Sequence, residues 1–167
     1  TFFSPSGYEV RKNATTADAI VYLPLDSKEN AKKFISKINP AMAFMIKYEY
    51  WPNYLNELKS RNIKTYLISG ILRENQAFFK WYGSFYRKAL DAFTYFFVQN
   101  NSSKILLNNL AKRNVSVSGD TRFDRVSAIL QQNNSLQFVE EFIQNKLTIV
   151  IGSSWPKDEE ILVKYIN

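Results

Sequence analysis

Short apolar runs alternate with amphipathic segments along this chain, and this alternation limits how it can fold more than any other feature. The apolar runs are typical of buried strands and occupy residues 19–23, 41–48, 63–69, 95–99 and 114–118. The intervening segments have helical periodicity and cover residues 28–38, 53–61, 74–93 and 102–112. Strands that alternate with helices pair in parallel through right-handed crossovers. The sequence therefore predicts an α/β protein with a doubly wound parallel sheet.

The pattern changes near residue 120 and predicts three parts. Residues 1–120 form the α/β domain, and residues 121–145 are expected to be a linker with two polar helical segments. Within residues 146–167, an apolar strand at 147–151 and a helix at 157–166 are expected to open a second α/β domain. The first residues have the pattern of a strand end running into a loop, so we expect at least one βα unit before Thr1. Because the second domain only begins within the chain, we expect both ends to be truncated.

Two absent residue types restrict the chemistry. The chain has no cysteine and no histidine, which excludes disulfides, thiol catalysis and the imidazole that most often serves as a general base or zinc ligand. Asp120 and Asp124 are too few ligands to predict a metal site. No stretch approaches the roughly 20 apolar residues that span a bilayer, and nothing at Thr1 resembles a signal peptide, so we expect a soluble fragment.

The excess of positive charge predicts an anionic partner. The chain carries 22 Lys and Arg residues against 15 Asp and Glu, a net charge of +7. Such a balance attracts phosphate, nucleic acid or a membrane surface.

A single carboxylate, Glu49, lies between a predicted strand and a predicted helix. Pro52 suits the first turn of that helix because its missing N–H is not needed there. Open α/β sheets bind ligands at the carboxyl ends of their strands, which favours a role for Glu49 in chemistry or binding. The equally open alternative is that Glu49 offsets the helix dipole or pairs with Lys47.

The predicted helix at 74–93 has an aromatic face and a basic face. The apolar positions, at spacings of three, four and seven, are Phe78, Tyr82, Phe85, Tyr86, Ala89 and Phe93. We expect this stripe to belong mainly to the core. Lys80 and Arg87 lie roughly opposite, and the surplus aromatic Trp81 would suit a lipid interface at which cations meet phosphate. A solvated basic face is the alternative.

Two further segments are candidates for binding anions. Arg122, after the strand at 114–118, could stabilise charge on a leaving phosphate. On its own this segment slightly favours an ion-pair network among Asp120, Arg122, Asp124 and Arg125. Gly152, Ser153 and Ser154 precede a helix whose N–H groups could hold a phosphate, although Ser154 could instead cap that helix.

Five motifs, taken together and in order, resemble the 3-deoxy-D-manno-octulosonic acid (Kdo) transferase family. They are TFFSPSGYE at 1–9, YLPLD at 22–26, KYEYWPN at 47–53, GDTRFD at 119–124 and GSSW at 152–155. The resemblance covers nearly the whole chain. It implies a glycosyltransferase of family 30 in lipopolysaccharide core biosynthesis, with the GT-B fold of two Rossmann-like domains, of which this chain holds the N-terminal one.

The resemblance also implies a reaction and its partners. Kdo would pass, with inversion, from CMP-Kdo to the lipid A precursor (lipid IVA) at the cytoplasmic face of the bacterial inner membrane, without a cofactor or metal. The protein would be peripheral or anchored by an upstream segment. A general-base Glu is expected upstream of Thr1 and most CMP contacts beyond residue 167, so the fragment alone should be inactive.

Few site residues carry over from the family. Glu49 matches the acid before Trp-Pro-Asn, and Arg122 matches a position that is often Lys; the resemblance implies that both support the transition state. The expected acceptor- or phosphate-binding residues are Ser4, Ser6, Gly7, Lys47, Lys80 and Arg87. The expected donor-binding residues are Gly152, Ser153 and Ser154.

Two other classes of function remain open on the sequence. A noncatalytic module that binds anionic lipid surfaces would explain the basic, aromatic segment. A nucleic-acid binder would explain the charge, and would stack bases on exposed rings with steep salt dependence. Neither explains a carboxylate and an arginine at strand ends, so we expect no nucleic-acid partner.

Overall fold

The computed structural model describes residues 1–144 and 146–166. The chain separates into two compact units, Thr1–Phe123 and Asp124–Asn167. The helices are α1 (Pro5–Arg11), α2 (Lys28–Ile38), α3 (Pro52–Ser60), α4 (Ser84–Ala89), α5 (Asn101–Asn109), α6 (Thr121–Leu130), α7 (Gln137–Ile143) and α8 (Pro156–Ile166). The strands are β1 (Met42–Ile46), β2 (Lys64–Gly70), β3 (Phe93–Val98) and β4 (Val115–Val117). Across the described residues, no helix is both long and apolar enough to cross a membrane.

The four strands form one parallel sheet in the order β1-β2-β3-β4. The pairing places Phe44 beside Tyr66 and Phe96 beside Val115. Helices flank the sheet, so the predicted Rossmann-like α/β fold is confirmed. Right-handed crossovers between consecutive strands carry α3, α4 and α5 to the same face of the sheet, and α3 and α4 are in contact there.

The core lies on this helix-covered face. Leu67 of β2 and Phe96 of β3 are fully buried against Leu55 of α3. A second cluster joins α2 to α3 through Ile35 and Tyr54. On the opposite face of the sheet, β1 leaves large apolar side chains exposed, namely Met42, Phe44 and Ile46.

The predicted helix at 74–93 is wrong. The segment forms a 3₁₀ turn at Ala77–Phe79, then α4, a second 3₁₀ turn at Leu90–Ala92, and the start of β3. Gly83 sits so close to the first turn that a Cβ atom there would lie 1.7 Å from the Ala77 carbonyl oxygen. A straight helix cannot make this approach, because the chain folds back on itself at Gly83.

The aromatic stripe divides as a result of this turn. Phe78 and Phe93 are buried, as a core stripe predicts, whereas Tyr82, Phe85 and Tyr86 are exposed. Helical periodicity relates these residues only while the helix is continuous, and the break at Gly83 ends that relation.

Two predicted strands are also wrong. Residues 19–23 make a single bridge, the parallel pair Phe2 and Tyr22, and residues 147–151 make none. Leu147 is 99% exposed; an apolar run becomes a strand only where a neighbour accepts its hydrogen bonds. The predicted helix at 157–166 is confirmed as α8. The linker predicted to end at Asn145 and the domain predicted to end at Asn167 have their last residues outside the described ranges.

The N-terminus of α3 is capped from a distant loop. Trp51, at the cap position, supplies no side-chain cap. The Asp26 carboxylate instead accepts from the backbone N–H groups of Asn53 (3.1 Å) and Tyr54 (3.1 Å), and the Asn53 amide donates back to the Asp26 carbonyl oxygen at 2.8 Å. Two sequence motifs, YLPLD and KYEYWPN, are therefore joined by one cap.

We expect Asp26→Ala to lower the free energy of unfolding by about 1 to 2 kcal/mol, because the variant leaves helix N–H groups without an acceptor. Asp26→Asn keeps a side-chain oxygen and should lose much less. Urea denaturation of residues 1–167 measures both. Asp18→Ala, which removes an exposed carboxylate, is the control, and equal stability of Asp26→Ala and the parent chain would contradict the cap.

Candidate functional site

The carboxyl ends of the four parallel strands lie at one edge of the sheet and carry polar side chains. Lys47 follows β1, Ser69 is near the end of β2, Gln99 follows β3, and Asp120 and Arg122 follow β4. This is the edge at which open α/β sheets bind ligands. The sequence predicted Glu49 and Arg122 just past strand ends, and the structure places them there; Lys47, predicted to lie within the strand at 41–48, follows the end of β1.

The segment after β4 turns back across the edge toward β2. The Thr121 N–H donates to Ser69 Oγ at 3.4 Å, and the Ser69 hydroxyl donates to the Gly119 carbonyl at 3.5 Å. Gln99 fixes Ser69 by donating to its carbonyl oxygen at 3.0 Å and to its hydroxyl at 3.3 Å. These bonds carry Asp120 toward β1, although β1 and β4 are the outermost strands of the sheet.

Asp120 is the centre of a charged cluster. Its carboxylate lies 3.5 Å from Lys47 Nζ and 2.5 Å from Arg122 Nη2, and it also accepts from Arg122 Nε at 2.7 Å. The Asp120 side chain is 6% exposed, whereas that of Arg122 is 73% exposed. The Lys47 ammonium is thus partly covered. The Arg122 guanidinium is open to solvent, although its bonds to Asp120 hold it in place.

Hydrogen bonds from the Arg122 side chain and backbone N–H lower the pKa of Asp120 to about 2, and the charge of Lys47 acts in the same direction. The same partnership raises the pKa of the Arg122 guanidinium. Asp120 is therefore an anion at neutral pH and orients cations, rather than donating a proton.

The backbone leaves the strand conformation at three of these ends. Lys47 has φ of 59°, Ser69 of 52° and Gly119 of 83°. Glycine adopts this left-handed region freely, but for Lys47 and Ser69 it costs on the order of 1 kcal/mol or more each. Such strain is often found where side chains are positioned for function.

One cation at this edge was missed by the sequence analysis. Arg73, three residues after β2, donates to the Tyr48 hydroxyl at 3.2 Å, and its guanidinium carbon lies 5.6 Å from the centre of the Tyr48 ring. Its place just past a strand end was the available signal, but the sequence pattern does not relate Arg73 to Tyr48, which lies 25 residues earlier.

Glu49 points to a different part of the edge. It accepts from the Trp51 indole N–H and lines a cavity of about 560 Å³ that also includes Ser4. The Trp51 ring packs on Phe3 with centroids 4.7 Å apart. Lys47 pairs with Asp120 instead, and within the described residues no hydrogen bond or ion pair joins Glu49 to Lys47 or to Arg122.

Tyr50 anchors the segment that carries Glu49. Its hydroxyl donates to the Ile71 carbonyl at 3.0 Å and its ring packs on Phe78 with centroids 5.0 Å apart. Burial raises the pKa of Tyr50, and the charge of Tyr48 adds to this. The aromatic residues around Glu49 thus have separate uses, since Tyr50 holds the loop in the core and Trp51 contacts the carboxylate.

Ser4, Ser6 and Gly7 lie together at the start of α1. Ser4 Oγ accepts from the Gly7 N–H at 3.3 Å, and the Ser6 hydroxyl is 3.5 Å from it. A Cβ atom on Gly7 would lie 2.9 Å from the Phe2 ring, so the glycine allows a close approach. Ser4 is the member of this group that shares the Glu49 cavity.

Arg87 holds the β2–β3 connection together. It donates from Nη1 to the carbonyl oxygens of Phe78 (3.0 Å) and Lys80 (2.7 Å). The structure therefore brings Lys80 and Arg87 together within the β2–β3 connection. Ser4 and Glu49 lie earlier in the chain and line the cavity.

The predicted donor-binding residues belong to the second unit. The Ser154 hydroxyl donates to Glu159 at 2.7 Å, and the Trp155 N–H donates to Asp158 at 3.0 Å. Ser153 has φ of 60°. Carboxylates of α8 itself accept both of these hydrogen bonds.

Comparison with known proteins identifies the family. Residues 1–125 match the family described as 3-deoxy-D-manno-octulosonic-acid transferase (kdotransferase). The chain belongs to the Kdo transferase family. The matched residues include β1 to β4 and the charged cluster of Lys47, Asp120 and Arg122, so these features lie in the family's own region.

Individual relatives are more distant. A 3-deoxy-D-manno-octulosonic acid transferase of Rickettsia typhi is 25% identical over 148 residues, which cover 87% of this chain and 31% of that protein. The Haemophilus influenzae protein of the same name is 38% identical over 65 residues, 38% of this chain and 15% of that protein. A bifunctional glycosyltransferase/methyltransferase of Fusobacterium nucleatum is 23% identical over an alignment that covers 96% of this chain and 26% of that protein. The chain thus spans about a third of the length of the Rickettsia relative, and no solved structure shows significant similarity to it.

We expect the Asp120 carboxyl to titrate with a midpoint of about 2. The ordinary value is about 3.9, so folding lowers this pKa; the resulting stabilisation is present above about pH 4 and is lost as the pH falls through about 2. Carbon-13 NMR of the carboxyl group measures the midpoint. Arg122→Ala should raise it toward the ordinary value, while Arg113→Ala, before the amino end of β4, should not. An ordinary midpoint in the parent chain would contradict the cluster.

Proposed function

We propose that this chain is the acceptor-side part of an inverting glycosyltransferase that transfers Kdo from CMP-Kdo to the lipid A precursor. The observation that carries the proposal is the family match over residues 1–125, within which a fixed cationic cluster lies at the ligand-binding edge of the sheet. Fold and charge alone would support many anionic ligands, whereas family membership selects a sugar transfer.

The proposed reaction makes one bond and breaks one. A general-base carboxylate, expected upstream of Thr1, takes the proton from an acceptor hydroxyl. That oxygen attacks the anomeric carbon of Kdo from the face opposite the phosphate, and the bond from that carbon to the phosphate oxygen breaks with its electron pair. CMP leaves with an added negative charge, and the sugar configuration is inverted.

Arg122 and Lys47 are proposed to offset the negative charge that develops on CMP. Both are held by Asp120 before substrate arrives, so little reorganisation is needed during the reaction. Arg122 is the better candidate for direct contact because its side chain is 73% exposed. Arg can bind two phosphate oxygens through its planar fork, whereas the Lys common at this family position acts as a point charge.

Glu49 is proposed to stabilise the cation-like sugar or to orient the acceptor. Its contact with Trp51 fixes the carboxylate, and the adjoining cavity contains Ser4 from the proposed acceptor-binding segment. Ser6, Gly7, Lys80 and Arg87 remain proposed acceptor or phosphate ligands. The donor is proposed to bind at Gly152, Ser153 and Ser154, with further residues outside the chain.

The surface around α4 is proposed to contact the anionic cytoplasmic face of the bacterial inner membrane. We define the α4 surface as Trp81, Tyr82, Phe85, Tyr86 and Lys88, all exposed; Trp81 is 91% exposed. Aromatic rings at headgroup level beside cations are typical of interfacial binding. This surface also favours the second candidate function, a noncatalytic module that binds anionic lipid.

We expect Glu49→Gln and Arg122→Ala each to lower kcat for Kdo transfer, by about 100-fold or more if preorganised charge stabilisation is lost. Arg122→Lys should retain more activity than Arg122→Ala. The assay uses the full-length protein with CMP-Kdo and a lipid A precursor, since residues 1–167 alone are expected to be inactive. Circular dichroism confirms folding, and Arg113→Ala is the matched control.

Full activity of Glu49→Gln would show that the negative charge of Glu49 is not needed for transfer. Absence of transfer by a well-folded parent protein would contradict the proposed reaction, and vesicle binding by that protein would then support the noncatalytic alternative.

We expect residues 1–167 to bind vesicles that contain anionic phospholipid and to bind neutral vesicles much more weakly. Lys88→Ala should weaken binding by about five-fold, the equivalent of roughly 1 kcal/mol for one cation near the surface. Trp81→Ala should also weaken it, whereas Trp155→Ala, which removes an exposed tryptophan of the second unit, should not. Vesicle co-sedimentation measures this. Equal binding of all three variants would exclude the α4 surface as the contact.

A further inference from the structure

β1 has one strand neighbour in the described sheet and an open edge on its other side. The Lys47 N–H donates to the Ile68 carbonyl of β2 at 3.0 Å. Backbone groups alternate between the two sides of a strand, so Ala43 and Met45 also face β2. Met42, Phe44 and Ile46 therefore turn their N–H groups to the open edge.

A second extended segment also has an unused side. The Phe2 N–H donates to Val21 O at 3.0 Å, and Phe2 O accepts from the Leu23 N–H at 2.8 Å. By the same alternation, Thr1 and Phe3 direct their backbone groups away from that bridge. The Phe2 bridge is parallel, like every pair in the sheet.

The cavity of about 560 Å³ separates these two extended segments. Residues 1–4 form one wall and residues 43–46 the other, while Ile35, Tyr54 and Leu58 from α2 and α3 form an apolar floor. The space thus has backbone edges on two sides and the helix layer beneath it, which is the environment of a central strand in a parallel sheet. We call this space the β1 slot.

We propose that the β1 slot receives an apolar β-strand, parallel to β1, supplied by a part of the same polypeptide outside residues 1–167. Such a strand would bond to β1 on one side and to the Phe2 segment on the other. Five extended residues span about 17 Å, enough to run the length of β1. The full-length polypeptide would be long enough to supply this strand, because the residues aligned to this chain are only 31% of the Rickettsia typhi relative.

Other occupants fit the slot less well. An acyl chain would fill the apolar floor but would leave the N–H groups of both edges without acceptors, which is costly once they are buried. A second copy of this chain would pair its own β1 edge about a two-fold axis, which gives antiparallel strands and leaves the Phe2 wall unpaired.

The inserted strand would also complete the candidate site. Its carboxyl end would emerge at the same edge as that of β1, between Ser4 and Glu49. The residue that follows it would therefore face the Glu49 cavity, and the site would be incomplete without that residue. This inference rests on sheet geometry and does not depend on sugar transfer.

Amide hydrogen exchange, resolved by residue, tests the proposal in residues 1–167 and in the full-length protein. We expect the N–H groups of Met42, Phe44 and Ile46 to exchange roughly 100-fold or more slowly in the full-length protein. Ala43 and Met45, already bonded to β2, should change much less and are internal controls. Equal rates of Met42, Phe44 and Ile46 in both proteins would overturn the proposal.

Protection of these amides in residues 1–167 that rises with protein concentration would also overturn it, in favour of a second copy. Protection that requires added lysophospholipid micelles would overturn it in favour of a lipid.

Proline at position 44 gives a second test through stability. Phe44→Pro removes an N–H that faces the open edge, a place where proline is tolerated while the edge stays unpaired. We compare it with Phe44→Ala, which loses the ring but keeps the N–H. The proline variant should be the less stable of the two in the full-length protein and similar to the alanine variant in residues 1–167. The same difference in both proteins would contradict the inserted strand.

Discussion

Parallel pairing of β1 to β4 is the constraint on which the rest of this structure depends. Because the four strands run in one direction, their carboxyl ends share an edge, and residues from positions 47 to 122 of the chain can meet there. The outermost strands of a four-stranded sheet are about 14 Å apart, three spacings of roughly 4.8 Å. The turn after β4 spans this gap by binding Ser69, and it delivers Asp120 to Lys47. Pairing direction and one returning turn therefore create the charged cluster.

Two of the motifs shared with the family, YLPLD and KYEYWPN, contain residues that stabilise the fold as well as residues of the candidate site. Asp26 and Asn53 are tied to each other by hydrogen bonds that cap α3, and Tyr50 anchors its loop in the core. Their neighbours Glu49 and Lys47 are then left at the edge, with the carboxylate on the cavity side and the ammonium on the Asp120 side. Within KYEYWPN, Tyr50 and Asn53 thus stabilise the fold, while Lys47 and Glu49 are available for chemistry. The proposed mechanism needs both, since a misplaced α3 would move Glu49.

Local patterns predicted most of the fold and the placement of two candidate site residues. The runs at 41–48 and 63–69 were identified as strands because buried parallel strands are continuously apolar, and Glu49 and Arg122 were placed at strand ends by the same reasoning. The helix at 74–93 was predicted wrongly because periodicity gives no sign that the backbone folds back at Gly83. The contacts of Asp120 with Lys47 and of Arg73 with Tyr48 depend on tertiary geometry. Sequence reasoning identified the candidate residues and offered the Asp120–Arg122 pair, but it could not find these contacts between distant parts of the chain.

The central claim is that strand ends far apart in sequence form one electrostatic unit at the ligand-binding edge. A double-mutant cycle between Lys47→Met and Asp120→Asn, measured by urea denaturation at neutral pH, tests it most directly. The account predicts that the two losses of stability are not additive, because each variant removes the same Lys47–Asp120 interaction, and that the coupling decreases as salt is added. Additive losses at low salt would show that β1 and β4 are not joined through this pair, and would contradict the account.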